Sequence, residues 1–307
     1  MDWCCSASMA EIVFSPPSAE QLEISVFGPG YGECIVVHLG HGDWLINDSC
    51  VDSTGEPVAL YYLRRIGVRV EDQVKLIVAS HWHDDHVRGL REIVARCVRV
   101  HSLSPSDASL IASNVDIAQL VDEVAENRTR VAAHSPNASS VVLWVDMAGT
   151  RLLLGGDLEN HSDAHRGWTA IINSETRPEG RAEVYKVAHH GSENAHDDQI
   201  WGQLLESACS ALVTPWRRGG NELPQPRDLT RIALLSAVTH VTSGRVPGQV
   251  RRSRLVEEEL SKSTRTIRRL DGLTGHVQMR KMAGTALWDV CSTLDSHRIV
   301  RSTSPEV

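Results

Sequence analysis

The densest run of chemistry-bearing side chains in this sequence is Ser80-His81-Trp82-His83-Asp84-Asp85-His86-Val87-Arg88-Gly89. Its three imidazoles and its carboxylates fit no amphipathic period and would crowd one another in a core. Imidazole and carboxylate are, however, the donors a divalent transition metal takes. Along an extended chain, alternation puts His81 and His83 on one side, while Asp85 and His86 fall in the turn beyond and face another point. One short run is therefore expected to serve two metals. The competing reading is a polar loop that happens to be rich in histidine, and it weakens with each matching ligand found downstream.

Two further stations occur. Leu154-Gly155-Gly156-Asp157 places an acid at the end of an apolar strand, after two glycines that permit close backbone approach. Asp157 is read either as a ligand that bridges two metals through its two oxygens or as the cap of a helix beginning at Leu158. Lys186-Val187-Ala188-His189-His190-Gly191-Ser192 ends another strand with adjacent histidines. In an extended chain these point to opposite sides, so one is expected to face metal and the other to contact substrate or to pack. His189 is favoured as the ligand, slightly over His190. His134, before a strand, is a further candidate ligand or an exposed loop histidine. The cationic loop from Pro215 to Pro224, with Arg217, Arg218 and Asn221, either lines the site and meets an anion or is a solvated turn.

The elements that must position these residues follow from periodicity. Leu22, Ile24 and Val26 alternate as a strand, Cys34 to Leu39 reads as a second, and Trp44 to Asp48 as a third, giving a meander with glycine turns. The turn Gly28-Pro29-Gly30-Tyr31-Gly32 is not a nucleotide fingerprint, because no helix follows it. Helices are expected over 56–66, 87–94, 107–127, 200–205 and 228–237. Strands are expected at 75–79, which delivers the histidine run, and at 139–145, 151–154, 182–188 and 211–214. His276 to Met279 and Ala286 to Val290 read as a closing hairpin. Residues 1–20 read as a loose lead-in, 21–295 as a single domain with a basic helical or linker insert at 245–270, and 296–307 as a disordered tail.

Composition bounds the class. The 307 residues suffice for a large core, and the net charge of -8 argues against a wholly basic nucleic-acid coat without excluding local cationic patches. Seven scattered cysteines with no C-x-x-C pair suit a reducing compartment, so the cytoplasm is expected. No stretch approaches the roughly 20 apolar residues of a membrane span, and no basic-then-apolar leader is seen. The sequence does not set an oligomeric state.

The ordered set His81, His83, Asp85, His86, Asp157 and His189/His190 resembles the metallo-β-lactamase superfamily. More narrowly, Phe27-Gly28-Pro29-Gly30-Tyr31-Gly32-Glu33, Asn137 to Leu143, Leu154 to Asp157 and Lys186 to Ser192 look like the hydrolase domain of the bacterial competence DNA-uptake channel family, over about residues 22 to 230. The resemblance implies an α/β fold, an αββα sandwich of two sheets flanked by helices, with one or two metals at the sheet edges; the channel's membrane segments are not seen in this sequence, so a soluble, free-standing relative is expected. Glu33 departs from the pattern, standing where that subfamily usually has aspartate. On this reading His81 and His83, with His134, hold one metal, and Asp85 and His86 hold the other. Asp157 bridges, and His189 or His190 completes the second site. Two divalent ions, zinc or manganese, are expected, with Asp85 orienting the attacking water and His190 as the second catalytic candidate. The implied activity is a phosphodiesterase or nuclease acting on DNA. A hydrolase of a small ester, lactone or thioester, and a non-catalytic nucleic-acid or protein interaction module, are the competing readings.

Overall fold

A computed structural model of the chain describes residues 11–28, 32–97, 108–111, 136–147, 149–218, 220–243, 275–294 and 296–300. The expected basic stretch 245–270 lies outside them. Among the described residues, β1 (Gln21–Gly28), β2 (Cys34–His38), β3 (Trp44–Asn47), β4 (Val74–Val78), β13 (Gly275–Met282) and β14 (Asp289–Ser292) form a six-stranded sheet in the order β14-β13-β1-β2-β3-β4. A seven-stranded sheet, in the order β15-β12-β9-β8-β7-β6-β5, comprises β5 (Ala108–Ile111), β6 (Val142–Met147), β7 (Thr150–Leu154), β8 (Ala182–Lys186), β9 (Leu205–Val213), β12 (Val238–Val241) and β15 (His297–Val300). β10 (Trp216–Arg218) and β11 (Asn221–Leu223) make a separate antiparallel hairpin.

Period-two alternation sorts side chains to the two faces of each sheet. From the first sheet, Ile24, Val26, Ile35, Val37 and Leu45 join Leu143, Val145, Leu152, Leu154, Val184 and Leu212 of the second in one buried cluster. Their neighbours Phe27, Cys34, Val36, Trp44 and Ile46 point the other way and are covered by helical residues. The helices on that side are α1 (Val58–Arg65), α2 (Val70–Gln73) and α4 (Leu90–Arg96), while the short α3 (Asp84–Val87) buries Asp85 and His86. The outer face of the second sheet, with Trp144, Leu153, Tyr185, Ala211 and Val213, is covered by α5 (Gly167–Ile172), the helical turn Ile200–Leu204 and α6 (Pro226–Leu235). The molecule is therefore a mixed α/β structure with two large mixed sheets flanked by helices. No described helix is long and apolar enough to cross a membrane.

Both sheets contain parallel strands. β3 runs parallel to β4, and β7, β8, β9 and β12 are mutually parallel. The loops after these strands hold the residues singled out by their chemistry, as is common where parallel strands end.

Three expectations are corrected. Residues 108–111, expected within a helix, form strand β5 paired to β6; edge pairing overrides a helical apolar period, and the rest of that stretch lies outside the described residues. Residues 297–300, expected in a disordered tail, pair with β12 as an edge strand. The part of the lead-in beyond residue 10 is tied down. The Val13 backbone exchanges two hydrogen bonds with the Gln278 side chain, and Arg280 donates to the Ser15 carbonyl.

Arg280 also reaches a polar network beneath α1. Its Nε donates to Glu23 Oε2 at 2.8 Å, while Ser25 Oγ and the Tyr62 hydroxyl donate to Glu23 Oε1. Glu23 is fully buried, so its charge depends on these donors. Arg280→Leu is expected to destabilise the protein by about 3 kcal/mol in urea unfolding, because one partner of a buried pair is left behind. Arg64→Ala, which removes an exposed partner of Glu56, is expected to cost less than about 1 kcal/mol.

Candidate metal centre

The site is built from strand ends. His81 follows β4, Asp48 follows β3, Asp157 follows β7, His190 follows β8 and Thr214 follows β9, while Glu33 lies in the turn from β1 to β2. Backbone hydrogen bonds lock these loops to one another. Asp48 N–H donates to Val78 O, Ser49 N–H to His86 O, Glu33 N–H to Asp85 O and His189 N–H to Gly156 O, at 2.7–3.0 Å. Gly156, at φ +50, sits where a Cβ would meet Ser140 Oγ at 2.5 Å and Val141 O at 2.9 Å, so only glycine lets the Asp157 loop approach so closely. Gly32 meets the same constraint against Asp85 O.

Asp157 is the point of convergence. Its Oδ2 lies 3.3 Å from His86 Nε2, 3.6 Å from His190 Nε2 and 3.8 Å from His81 Nε2. Two sets of donors result, each with its atoms within 4.8 Å of one another: Glu33, His86, Asp157 and His190, and His81, His83 and Asp157. Asp85 approaches the first set, with Oδ2 3.8 Å from His86 Nε2 and 3.6 Å from His190 Nε2. The donor chemistry fits a divalent cation. His86 Nε2, His190 Nε2, Asp157 Oδ1 and Glu33 Oε1 are buried with no hydrogen-bond partner, and buried polar atoms are rarely left so.

The histidines are oriented from behind. His86 Nδ1 lies 2.9 Å from Asp48 Oδ2, and His190 Nδ1 lies 2.9 Å from the Thr214 carbonyl. Both partners are acceptors, so Nδ1 carries a proton in each ring and Nε2 is the nitrogen turned to the cluster. His81 Nδ1 lies 3.0 Å from Ser80 Oγ, whose own hydrogen goes to Asp48 Oδ2. On the other side of that ring, His81 Nε2 is 2.9 Å from His83 Nδ1, a separation that a shared proton or a shared cation accounts for.

Electrostatics follow the same geometry. Burial alone would favour neutral His86, but the carboxylates of Asp157 and Asp48 raise its pKa well above the ordinary imidazole value. For Asp157, burial is outweighed by His86 and His190, which hold it well below the usual carboxylate range. Burial pushes His81 down to about 3, helped by the charge of His86. Asp85 is lowered to about 2, because the His190 and His86 rings outweigh its burial. The proton on His86 thus does what a cation would do, and metal binding is expected to displace it.

The structure separates the two adjacent histidines in the opposite sense to the expectation. His190 belongs to the donor set, whereas His189 Nδ1 lies 3.0 Å from Asn194 Oδ1 and 3.3 Å from Glu159 Oε1, with Nε2 3.2 Å from Asn137 Nδ2. The strand ends at Lys186, and both histidines adopt left-handed backbone, at φ 47 and φ 53, so strand alternation no longer decides their direction. Asp157 caps no helix, since the next one begins at Gly167. His134 lies outside the described residues. Arg217, Arg218 and Asn221 are exposed on the β10–β11 hairpin, placed beside the cluster by Trp216, whose ring stacks with His190 at 6.3 Å and 22°.

Sequence reasoning passed over Asp48, Lys186 and Thr214 and took Glu33 only as a departure from a pattern. Lys186 Nζ and Thr214 Oγ1 both lie 2.6 Å from Glu33 Oε2, and Lys186 and Glu33 are fully buried. Burial of Glu33 is outweighed by Lys186, His86 and His190, which keep it below the usual carboxylate value. The available signal was position, since each of these residues ends a strand or sits in the turn between two.

No model of a known protein family matches the chain. Among curated proteins it is similar to ComE operon protein 3 of Bacillus subtilis (strain 168), at 25% identity over 174 residues. The match covers 50% of this chain and 21% of that protein, so the chain spans about a fifth of its relative's length.

Calorimetric titration of the metal-free protein with Mn²⁺ or Zn²⁺ tests the donor assignment. Asp48→Ala is expected to weaken binding by about 10- to 100-fold through loss of histidine orientation. His190→Ala should weaken it more, and His189→Ala should leave it unchanged. The reverse ranking of the two histidines would contradict the assignment.

Proposed function

We propose that this chain is a metal-dependent hydrolase with a metallo-β-lactamase-type αββα sandwich, and that it cleaves phosphodiesters, DNA being the expected substrate. The observation that carries this reading is that buried Asp157 belongs to two donor sets, in the first of which His86 Nε2 and His190 Nε2 are buried with no hydrogen-bond partner. The two flanked sheets are compatible with the sandwich, and the partial likeness to ComE operon protein 3 agrees with the resemblance seen in the motifs.

His86, His190, Asp157 and Glu33 would hold one cation, and His81, His83 and Asp157 the other. When bound, such ions supply Lewis acidity and bring the pKa of a coordinated water toward neutrality. The protein's own groups do the rest. Asp85, lowered to about 2, is a carboxylate at neutral pH and suits orienting a water better than taking its proton. Asp48, Ser80 and Thr214 fix the imidazole directions, so little reorganisation is needed when charge develops. Arg217 and Arg218, on the hairpin beside His190, suit an anionic diester better than a neutral ester or lactone.

Purified protein should cleave DNA with Mn²⁺ or Zn²⁺ and lose the activity on chelation. Asp157→Ala should abolish it. Gel assays on single- and double-stranded DNA and RNA, run beside a lactone and a thioester, check this. Cleavage of only the neutral substrates, or no cleavage despite bound metal, would sink the assignment.

A further inference from the structure

The inner face of the second sheet is apolar along most of its width, with Val145, Leu152, Val184 and Leu212 turned toward the first sheet. In register with these, the same face carries Ser210 beside Val184, His240 beside Leu212 and Arg298 beside His240. Residues paired across strands share a face, so the polar groups of this corner point into the space between the sheets. That space is a cavity of about 570 Å³, lined by Ser210, Val238, His240 and Arg298 from the second sheet and by Met279, Leu287, Trp288 and Val290 from the first. Its size is that of a small-molecule site. It lies where β9 arches: Leu205 pairs with Ala182 and Ser210 with Val184, so the residues between stand against Glu183 alone. Glu183 and Glu206 line it at the amino ends of β8 and β9, whose carboxyl ends lead to His190 and Thr214. The cavity and the metal cluster therefore occupy opposite ends of the same strands.

The polar groups of the cavity define what it takes. His240 is 2% exposed, and its Nδ1 is buried with no hydrogen-bond partner, a condition rare among buried polar atoms. Burial, helped by the charge of Arg298, pushes the imidazole down to about 4, so it is neutral at ordinary pH and offers one donor and one acceptor. Among the described residues Arg298 has no ion-pair partner. Glu183, by contrast, is already matched: it accepts from Lys281 Nζ at 2.7 and 2.8 Å and from Trp288 Nε1 at 2.9 Å. One unmatched guanidinium suits a single negative charge, and the exposed Glu206 carboxylate disfavours a polyanion. Met279, Val238, Val290 and Leu287 call for an apolar body on that anion. We propose that this cavity is a second ligand site, separate from the metal cluster, that takes a small monocarboxylate with an apolar body. Its carboxylate meets Arg298 and the Nδ1–H of His240, and its hydrocarbon lies against Met279 and Val290.

The probe is octanoate, titrated calorimetrically into the metal-free protein at neutral pH, with octanol and octylamine as controls. Wild type should bind octanoate saturably and in preference to both controls. Arg298→Gln should weaken octanoate binding by about tenfold, and His240→Phe, which keeps a ring in place but removes the donor, should weaken it as well. Arg298→Glu should turn the preference from octanoate to octylamine, which a merely structural role for this exposed edge-strand residue would not do. Asp157→Ala should leave octanoate binding unchanged. No saturable binding of octanoate, octanol bound as tightly, or indifference to Arg298→Gln overturns the site. Loss of binding in Asp157→Ala places octanoate at the metal cluster and overturns it too.

Discussion

The site depends on one buried carboxylate that three imidazoles approach at once. Removing the Asp157 charge from water is costly, and it is tolerated only because His86, His190 and His81 surround Oδ2 within 3.3–3.8 Å. That demand dictates the loops. Gly156 must lack a side chain for the Asp157 turn to seat against Ser140, and the histidine run must leave β4 close enough for Asp48 to turn His86. His190 reaches the cluster only through two consecutive residues in left-handed backbone. Such backbone strain is retained where the surroundings hold it in place, and it recurs at functional sites.

A second buried charge pair supports the first. Lys186 and Glu33 lie at 2.6 Å with both side chains out of water, and Thr214 joins them while its carbonyl holds His190. Ion pairs of this kind add little net stability but leave few alternative arrangements. Glu33 Oε2 is occupied by Lys186 and Thr214, which leaves the unpartnered Oε1 for the cluster. Glu33 therefore reaches the donor set from the turn between β1 and β2.

Much of this was legible in the sequence, for identifiable reasons. His81, His83, Asp85 and His86 are conspicuous because no packing period explains them, and Asp157 because two glycines precede it at a strand end. Asp48 was not conspicuous, being a lone acid after an apolar strand whose role depends on the distant His86 ring. The His189/His190 expectation extended strand alternation two residues past the point where the strand ends, and the geometry instead turns His190 to the donor cluster. Residues 108–111 and 297–300 were misread for a different reason: short edge strands take their conformation from the neighbour they pair with, and their own sequence does not show that neighbour. The two-sheet core was readable because Leu22, Ile24, Val26 and their counterparts alternate cleanly.

The central claim is that Asp157 is shared by two cation positions. Anomalous diffraction from crystals of the manganese-reconstituted protein tests it most directly. The account predicts density at coordination distance from Asp157 between His86 and His190, and on its other side between His81 and His83. Density centred on His189, density remote from Asp157, or none after reconstitution would contradict it.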